Sequence, residues 1–285
     1  MHYLKNSLFV LTILFMVSCQ QQKQQNIPQS DSDTFKRIAI TYQLVSPKDS
    51  IKKIFSSLDS SQKKIVLAAN RVDAQNIIKL DTLLLPAKLN EHLFNYLPYP
   101  VDMPYLKGIT KIIFFSYPTQ TFAAYENGKL THTGPTSMGR KKDTTPKGLF
   151  YTNWKAEKTI STVNDEWELK WNFNIENDSG IGFHQYEMPG YPASHSCLRL
   201  TDSDAQYLYN WADEWVLKGT DSVLAKGTPV IVFGSYNFGA PKPWIQLSQN
   251  PEALDITAKE LELLVAPHLT DILAQQAERE LVKNR

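Results

Sequence analysis

GIGFHQYEMPGYPASHSCLRLTDSDAQYL, residues 180–208, predicts a strand, a sharp bend, a second short strand and a helix, with two reactive side chains close to the bend. His184 ends the first apolar run, Pro189-Gly190-Tyr191-Pro192 makes the bend, and Ser194-His195-Ser196-Cys197 leads into the second strand. A cysteine attacks as its thiolate, so it needs a base that the fold brings beside it, whatever their separation in sequence. A bend between neighbouring strands would bring His184 next to Cys197. Backbone N–H groups around Ser196 and Cys197, held in a tight turn, would stabilise an oxyanion.

What a cysteine can mean depends on the compartment. The first nineteen residues, MHYLKNSLFVLTILFMVSC, place Lys5 before an apolar run from Leu8 to Val17. That reads as a signal peptide, because the run is well short of the roughly 20 residues that span a membrane. Met16-Val17-Ser18-Cys19 resembles the lipobox of bacterial lipoproteins, which implies lipidation of Cys19 and anchoring in the cell envelope, facing the periplasm. The chain has only two cysteines. A lipidated Cys19 would leave Cys197 as an unpaired thiol where thiols tend to oxidise, and either chemistry or an inert buried role would explain it. Thirty basic and twenty-nine acidic residues in 285, with no basic run interleaved with aromatics, argue against nucleic acid as a partner.

Upstream of the central stretch the pattern is one of short strands and turns. Ile112 to Tyr117 is apolar, Thr121 to Tyr125 pairs back on it, and Asn127-Gly128 is a hairpin turn. Thr145-Pro146-Lys147-Gly148 makes the next turn and Leu149 to Trp154 the next strand. A helix from Asp202 to Trp215 follows the central stretch, and it would carry Trp211 and Trp215 four residues apart. The predicted fold class is mainly β (α+β), a sandwich or barrel-like domain over 105–235 with one helix after the cysteine loop.

His184, nine intervening residues and Ser194-His195-Ser196-Cys197-Leu198-Arg199 resemble the signature of the L,D-transpeptidases of the YkuD type. Tyr125-Glu126-Asn127-Gly128-Lys129, Ser137-Met138-Gly139, Thr145-Pro146-Lys147-Gly148 and the closing strand Gly227-Thr228-Pro229-Val230-Ile231-Val232 extend the resemblance over Lys111 to Gly234. The resemblance implies Cys197 as nucleophile and His184 as its base, with the ring oriented by the Gln185 carbonyl. It implies that Ser194, His195 and Ser196 support the oxyanion site, that Arg199 holds the loop or a substrate carboxylate, that Tyr186 contacts substrate, and that the polar segment Lys155 to Lys170, flanked by Trp154, Trp167 and Trp171, forms a lid. The family's glycine before the cysteine is Ser196 here, where a side chain would crowd the acyl pocket or restrict the backbone. The implied partners are peptidoglycan stem peptides and glycan, the peptides being joined by a 3-3 cross-link or cut by an L,D-carboxypeptidase or other cysteine hydrolase, with carbapenem-type inhibitors; a non-catalytic wall-binding lipoprotein is the alternative that Ser196 keeps open. No cofactor and no metal are expected. His184, His195 and Cys197 are residue types that also bind zinc, but no HxxxH or HExxH pairing supports that reading.

Flanking segments complete the plan. Residues 19–35 read as a flexible polar tether. Residues 36–95 predict strand, helix, helix and strand, with Asp49-Ser50 as a helix cap and Ile77 to Pro86 as the last strand, an order that resembles a LysM domain through Ile65, Leu67, Asn70, Ile78, Leu83 and Leu85-Pro86. Such a module implies glycan binding, and a plain αβ spacer fits the same pattern. A Pro-rich stretch, residues 97–104, breaks regular structure. Thr257 to Lys283 has helical apolar spacing with a bend at Pro267, within a helical extension over 236–285.

Overall fold

The structure, a computed structural model, describes residues 37–161, 167–220 and 222–283; the expected signal peptide, Cys19 and the tether lie outside the described residues. The chain begins with strand β1 (Tyr42–Val45), helices α1 (Lys48–Ser57) and α2 (Ser60–Asn70), and strand β2 (Leu83–Pro86), which pairs antiparallel with β1. Two details differ from the sequence reading. Helix α1 starts at Lys48 after Pro47 and has no side-chain cap, so Asp49 lies in its first turn. Ile77–Lys79 is one 3-10 turn rather than strand. Helix α2 carries a capping box, Asp59 with Gln62, which satisfies backbone donors at its start.

Three antiparallel strands follow, β3 (Lys111–Ser116), β4 (Thr121–Glu126) and β5 (Lys129–Pro135), and then β6 (Gly148–Tyr151). The β4–β5 turn needs positive φ at Asn127 (49°) and Gly128 (79°), the geometry that an Asn-Gly pair tolerates best. Strands β7 (Lys155–Ile160), β8 (Glu168–Glu176), β9 (Ile181–Gln185) and β10 (Leu198–Leu200) make a second sheet, and helix α3 (Asp202–Trp211) comes next. Strands β11 (Val216–Lys218) and β12 (Ser222–Ala225) form a small hairpin, and β13 (Pro229–Phe233) enters the first sheet between β3 and β6. Helices α4 (Ala258–Val265) and α5 (Leu269–Lys283) close the chain around the short turn Ala266–His268, where Pro267 bends the path.

The two main sheets, ordered β5-β4-β3-β13-β6 and β10-β9-β8-β7, form an open, sandwich-like α+β core and not a closed barrel. Strand β3 shows why KIIFFS is apolar throughout. Ile113 and Phe115 point to the second sheet and α3, whereas Ile112 and Phe114 point to the opposite face against Leu261, Val265 and Ile272. A strand buried on both faces loses the usual alternation. The C-terminal helices therefore cover the outer face of the first sheet. The Pro-rich stretch is built into the same core, with Leu97, Tyr99 and Met103 buried. Helix α3 ends at Trp211, so Trp215 is not on it; the Trp215 N–H instead donates to the Asn153 carbonyl.

Candidate active site

Strands β9 and β10 are parallel neighbours, with Leu198 opposite Phe183 and Arg199 opposite His184. A parallel pair cannot be closed by a tight hairpin, so residues 186–197 cross over as an irregular loop. This crossover sets Cys197, at the entry to β10, near Gly182 of β9 and in the same small cavity as His184. Gly182 has to be glycine here, because a Cβ would lie 2.5 Å from the Phe173 carbonyl oxygen.

The loop is held from below by residues around the Ser137-Met138-Gly139 segment. Ser137 exchanges backbone bonds with Arg199, at 3.1 and 3.0 Å. The Ser194 N–H donates to Met138 O (3.0 Å), and the Arg140 N–H donates to Ser194 O (2.9 Å). Thr145 Oγ1 donates to Ser196 O and accepts from the Gly139 N–H, each at 2.9 Å. Gln120 Oε1 accepts from the Met138 N–H, fixing the support one layer deeper. Ser194 is buried, and its hydroxyl donates to the Cys197 carbonyl.

Ser196 adopts φ of 79°, a left-handed backbone that favours glycine. Its hydroxyl reaches 3.3 Å to the Asp143 carbonyl, and the side chain is not part of the cavity wall. The crowding that the sequence suggested is therefore absent, and the backbone retains the glycine-like conformation at a cost of about 1 kcal/mol. Neither the Ser196 nor the Cys197 N–H donates to another described residue. Both are available to an oxyanion.

His184 Nδ1 lies 2.9 Å from the Gln185 carbonyl oxygen. A carbonyl only accepts, so Nδ1 carries the proton and Nε2 is left as the basic nitrogen. Burial lowers the His184 pKa to about 4, against the raising effect of that hydrogen bond, while the Arg199 guanidinium adds to the lowering. Burial likewise raises the Cys197 thiol above its ordinary range, opposed by Gly182 and Arg199. Both groups rest neutral at neutral pH. Cys197 Sγ donates to the Gly180 carbonyl oxygen at 3.9 Å, so thiol and imidazole line one cavity as two neutral groups and not as a preformed ion pair.

Arg199 stacks on Tyr186, its Cζ 4.5 Å from the ring centroid, and donates to the Glu187 carbonyl at 3.2 Å. No carboxylate pairs with it among the described residues. His195 accepts at Nδ1 from Arg140 Nη2 (3.0 Å), since a guanidinium only donates, and burial and that cation hold its pKa below the ordinary range. Trp167 packs edge-on to His195 at 5.5 Å and lies 6.1 Å from Tyr186. Of the three tryptophans expected near the site, only Trp167 is there. Trp154 donates to Asn177, and Trp171 donates to Asp202 on α3. The cavity is about 30 Å³, room for one or two water molecules.

Sequence reading missed four supports, Gln120, Arg140, Asp143 and Asp73. Asp73, which follows α2, accepts the Met188 N–H (2.7 Å) and returns its own N–H to Met188 O (3.0 Å), while Val72 bridges Pro189. No local pattern announces that a residue 115 positions upstream clasps the crossover loop. Among the described residues no three His, Cys, Asp or Glu side chains are grouped to hold a metal ion.

Residues 110–232 match the family model of the L,D-transpeptidase catalytic domain. Among solved structures, an L,D-transpeptidase from Stackebrandtia nassauensis is 25% identical with a TM-score of 0.36, covering 44% of this chain and 56% of that one. An L,D-transpeptidase from Mycobacterium smegmatis is 20% identical (TM-score 0.35; 44% and 59%). L,D-transpeptidase 3 from Mycobacterium tuberculosis, in complex with a faropenem-derived adduct, is 21% identical (TM-score 0.35; 44% and 61%). The chain spans less than two thirds of the length of each of these structures. No curated protein matches it.

Proposed function

We propose that this chain is a peptidoglycan L,D-transpeptidase whose nucleophile is Cys197 and whose general base is His184. The observation that carries this reading is their arrangement in one cavity: a neutral thiol, a neutral imidazole with its basic Nε2 free, and two unengaged N–H groups at Ser196 and Cys197. The family match of residues 110–232 supports the substrate class.

In this mechanism the Cys197 S–H proton passes to His184 Nε2 as Sγ attacks the carbonyl carbon of the third, L-centred residue of a tetrapeptide stem. The Ser196 and Cys197 N–H groups receive the oxyanion. Collapse of the intermediate breaks the C–N bond to the terminal D-alanine, and the imidazolium returns its proton to the departing amine. A thioester remains. An amine of a second stem attacks it, gives its proton to His184 and restores the thiol; if water attacks instead, the product is a tripeptide. Arg199, on Tyr186 and without a carboxylate partner, is the group to receive a substrate carboxylate. Ser194 and His195 shape the loop, and Trp167 covers it.

The envelope setting belongs to the same proposal and rests on the sequence: export by residues 1–18, lipidation at Cys19, a tether, and glycan contact through the LysM-like module of residues 36–95. Incubation of the full chain with tetrapeptide muropeptides, read by mass spectrometry, tests the reaction. Cross-linked dimers are expected; tripeptides alone would mean a carboxypeptidase, and unchanged substrate would reject both. A carbapenem should form an adduct on the wild type and none on Cys197→Ala. Because the resting thiol is protonated, its alkylation by iodoacetamide should still accelerate above pH 8.5, whereas a plateau below pH 7 would reveal an ion pair instead.

A further inference from the structure

A second cavity, of about 270 Å³, opens between α2, the segment before β1 and the residues after the last strand. At its floor is Arg71, the C-cap of α2, which is 1% exposed and takes the left-handed backbone (φ 57°) in which a helix usually ends on glycine. Its Nε donates to Thr119 O (3.0 Å), and Nη1 donates to Ala68 O (3.0 Å) and Ala69 O (2.8 Å). The Nη2 N–H groups have no partner among the described residues. Because no fully buried side-chain nitrogen or oxygen lacks a partner, Nη2 must open on the cavity.

Among the described residues no carboxylate neutralises this guanidinium. The Tyr42 and Tyr99 phenols lie near it, both held neutral by burial, and its face lies on Trp244, 5.3 Å from the ring centroid. Burial lowers the Arg71 pKa to about 10, which still leaves it a cation at neutral pH. A buried charge of this kind is costly unless an anion meets it. Two further donors line the same space. The Tyr42 hydroxyl, neutral because burial raises its pKa to about 12, and Asn95 Nδ2 have no hydrogen-bond partner among the described residues, Asn95 Oδ1 being taken by the Ile38 N–H. At the exposed rim Asp255 pairs with Arg37 at 3.1 Å, and Glu252 has no ion pair among the described residues.

We infer that this cavity binds a small organic carboxylate of amino-acid size, its carboxylate on Arg71, Tyr42 and Asn95 and an ammonium group, where present, toward Glu252. The acidic rim disfavours a dianion such as phosphate and suits a zwitterion. The site is separate from the cysteine cavity and does not depend on the reaction assigned to it.

Calorimetric titration of the full chain with D-alanine, L-alanine, alaninamide and inorganic phosphate tests the assignment. At least one alanine enantiomer is expected to bind saturably, alaninamide at least about tenfold more weakly, and phosphate no more tightly than alaninamide. Arg71→Met should abolish binding. If that variant fails to fold, Tyr42→Phe, which removes one oxygen, decides the matter by weakening binding about three- to tenfold. Absence of saturable binding to wild type, tighter binding of phosphate than of alanine, or Tyr42→Phe binding like wild type would each overturn the proposal.

Discussion

The cysteine cavity and the Arg71 cavity are both polar centres buried in an apolar core, and burial acts on them in opposite ways. His184 and Cys197 can change protonation state, so burial removes their charges and leaves a thiol and an imidazole in one cavity. Arg71 cannot lose its proton at neutral pH, so its charge persists and is spread over three backbone carbonyls and an indole face. The first centre carries no charge until a proton moves. The second holds an uncancelled charge that invites an anion. Three consecutive residues join the two: Arg71 reaches Thr119, Val72 bridges Pro189 and Asp73 clasps Met188 on the crossover loop.

The strongest way to break this contrast is at the titrating pair. His184→Gln should lower kcat for muropeptide turnover by about 10³-fold or more while the chain stays folded. An activity loss under tenfold would remove His184 from the role of base. The next effect is on stability. His184 is protonated in the unfolded chain below its ordinary value of 6.5 and in the folded chain only below about 4, so the unfolded state binds more protons between those limits. Stability is therefore complete above pH 6.5 and should fall by an amount on the order of 3 kcal/mol as pH drops toward 4. Denaturant titrations across that window should show the loss in wild type and a smaller one in His184→Gln.

A middle-sized effect tests the link between the centres. Asp73→Ala leaves the Met188 N–H without its acceptor, along with the N–H of Gln75, and should cost about 1–3 kcal/mol. It should also raise KM more than it lowers kcat, because the loop whose Glu187 carbonyl holds Arg199 loosens while Cys197 and His184 stay in place. Unchanged KM would show that the clasp is structural only. The smallest effect is expected at Ser196. Replacing it with glycine relieves the left-handed strain and gives up one long hydrogen bond, for a net gain of up to about 1 kcal/mol in thermal melts.

Much of the fold was legible because it rests on local signals. Asn127-Gly128 marks its hairpin through the conformations that those two residues tolerate, and the spacing of Leu261, Val265 and Ile272 marks the C-terminal helices. Local signals also misled. The apolar periodicity carried α3 on to Trp215, although the helix stops at Trp211, and leucine-rich residues 77–86 turned out to be a 3-10 turn followed by a four-residue strand. In the candidate site, His184, Ser194, His195, Cys197, Tyr186 and Arg199 surround one cavity, while Ser196 turns its side chain toward Asp143. Trp154 and Trp171 stand elsewhere, since composition cannot tell which face of a hairpin a tryptophan takes.

By itself the sequence determined which chemical groups are present and in what order: one cysteine within a Ser-His-Ser-Cys loop, a histidine on the strand before it, and short strands separated by turns. Only the tertiary structure decided that β9 and β10 run parallel, that the thiol and imidazole are both neutral, and that Arg71 has no counter-charge among the described residues. The physical reason is the same in each case. Turn and helix preferences act over a few neighbouring residues, whereas strand pairing, desolvation and the absence of a partner depend on everything that the folded chain brings within a few ångströms.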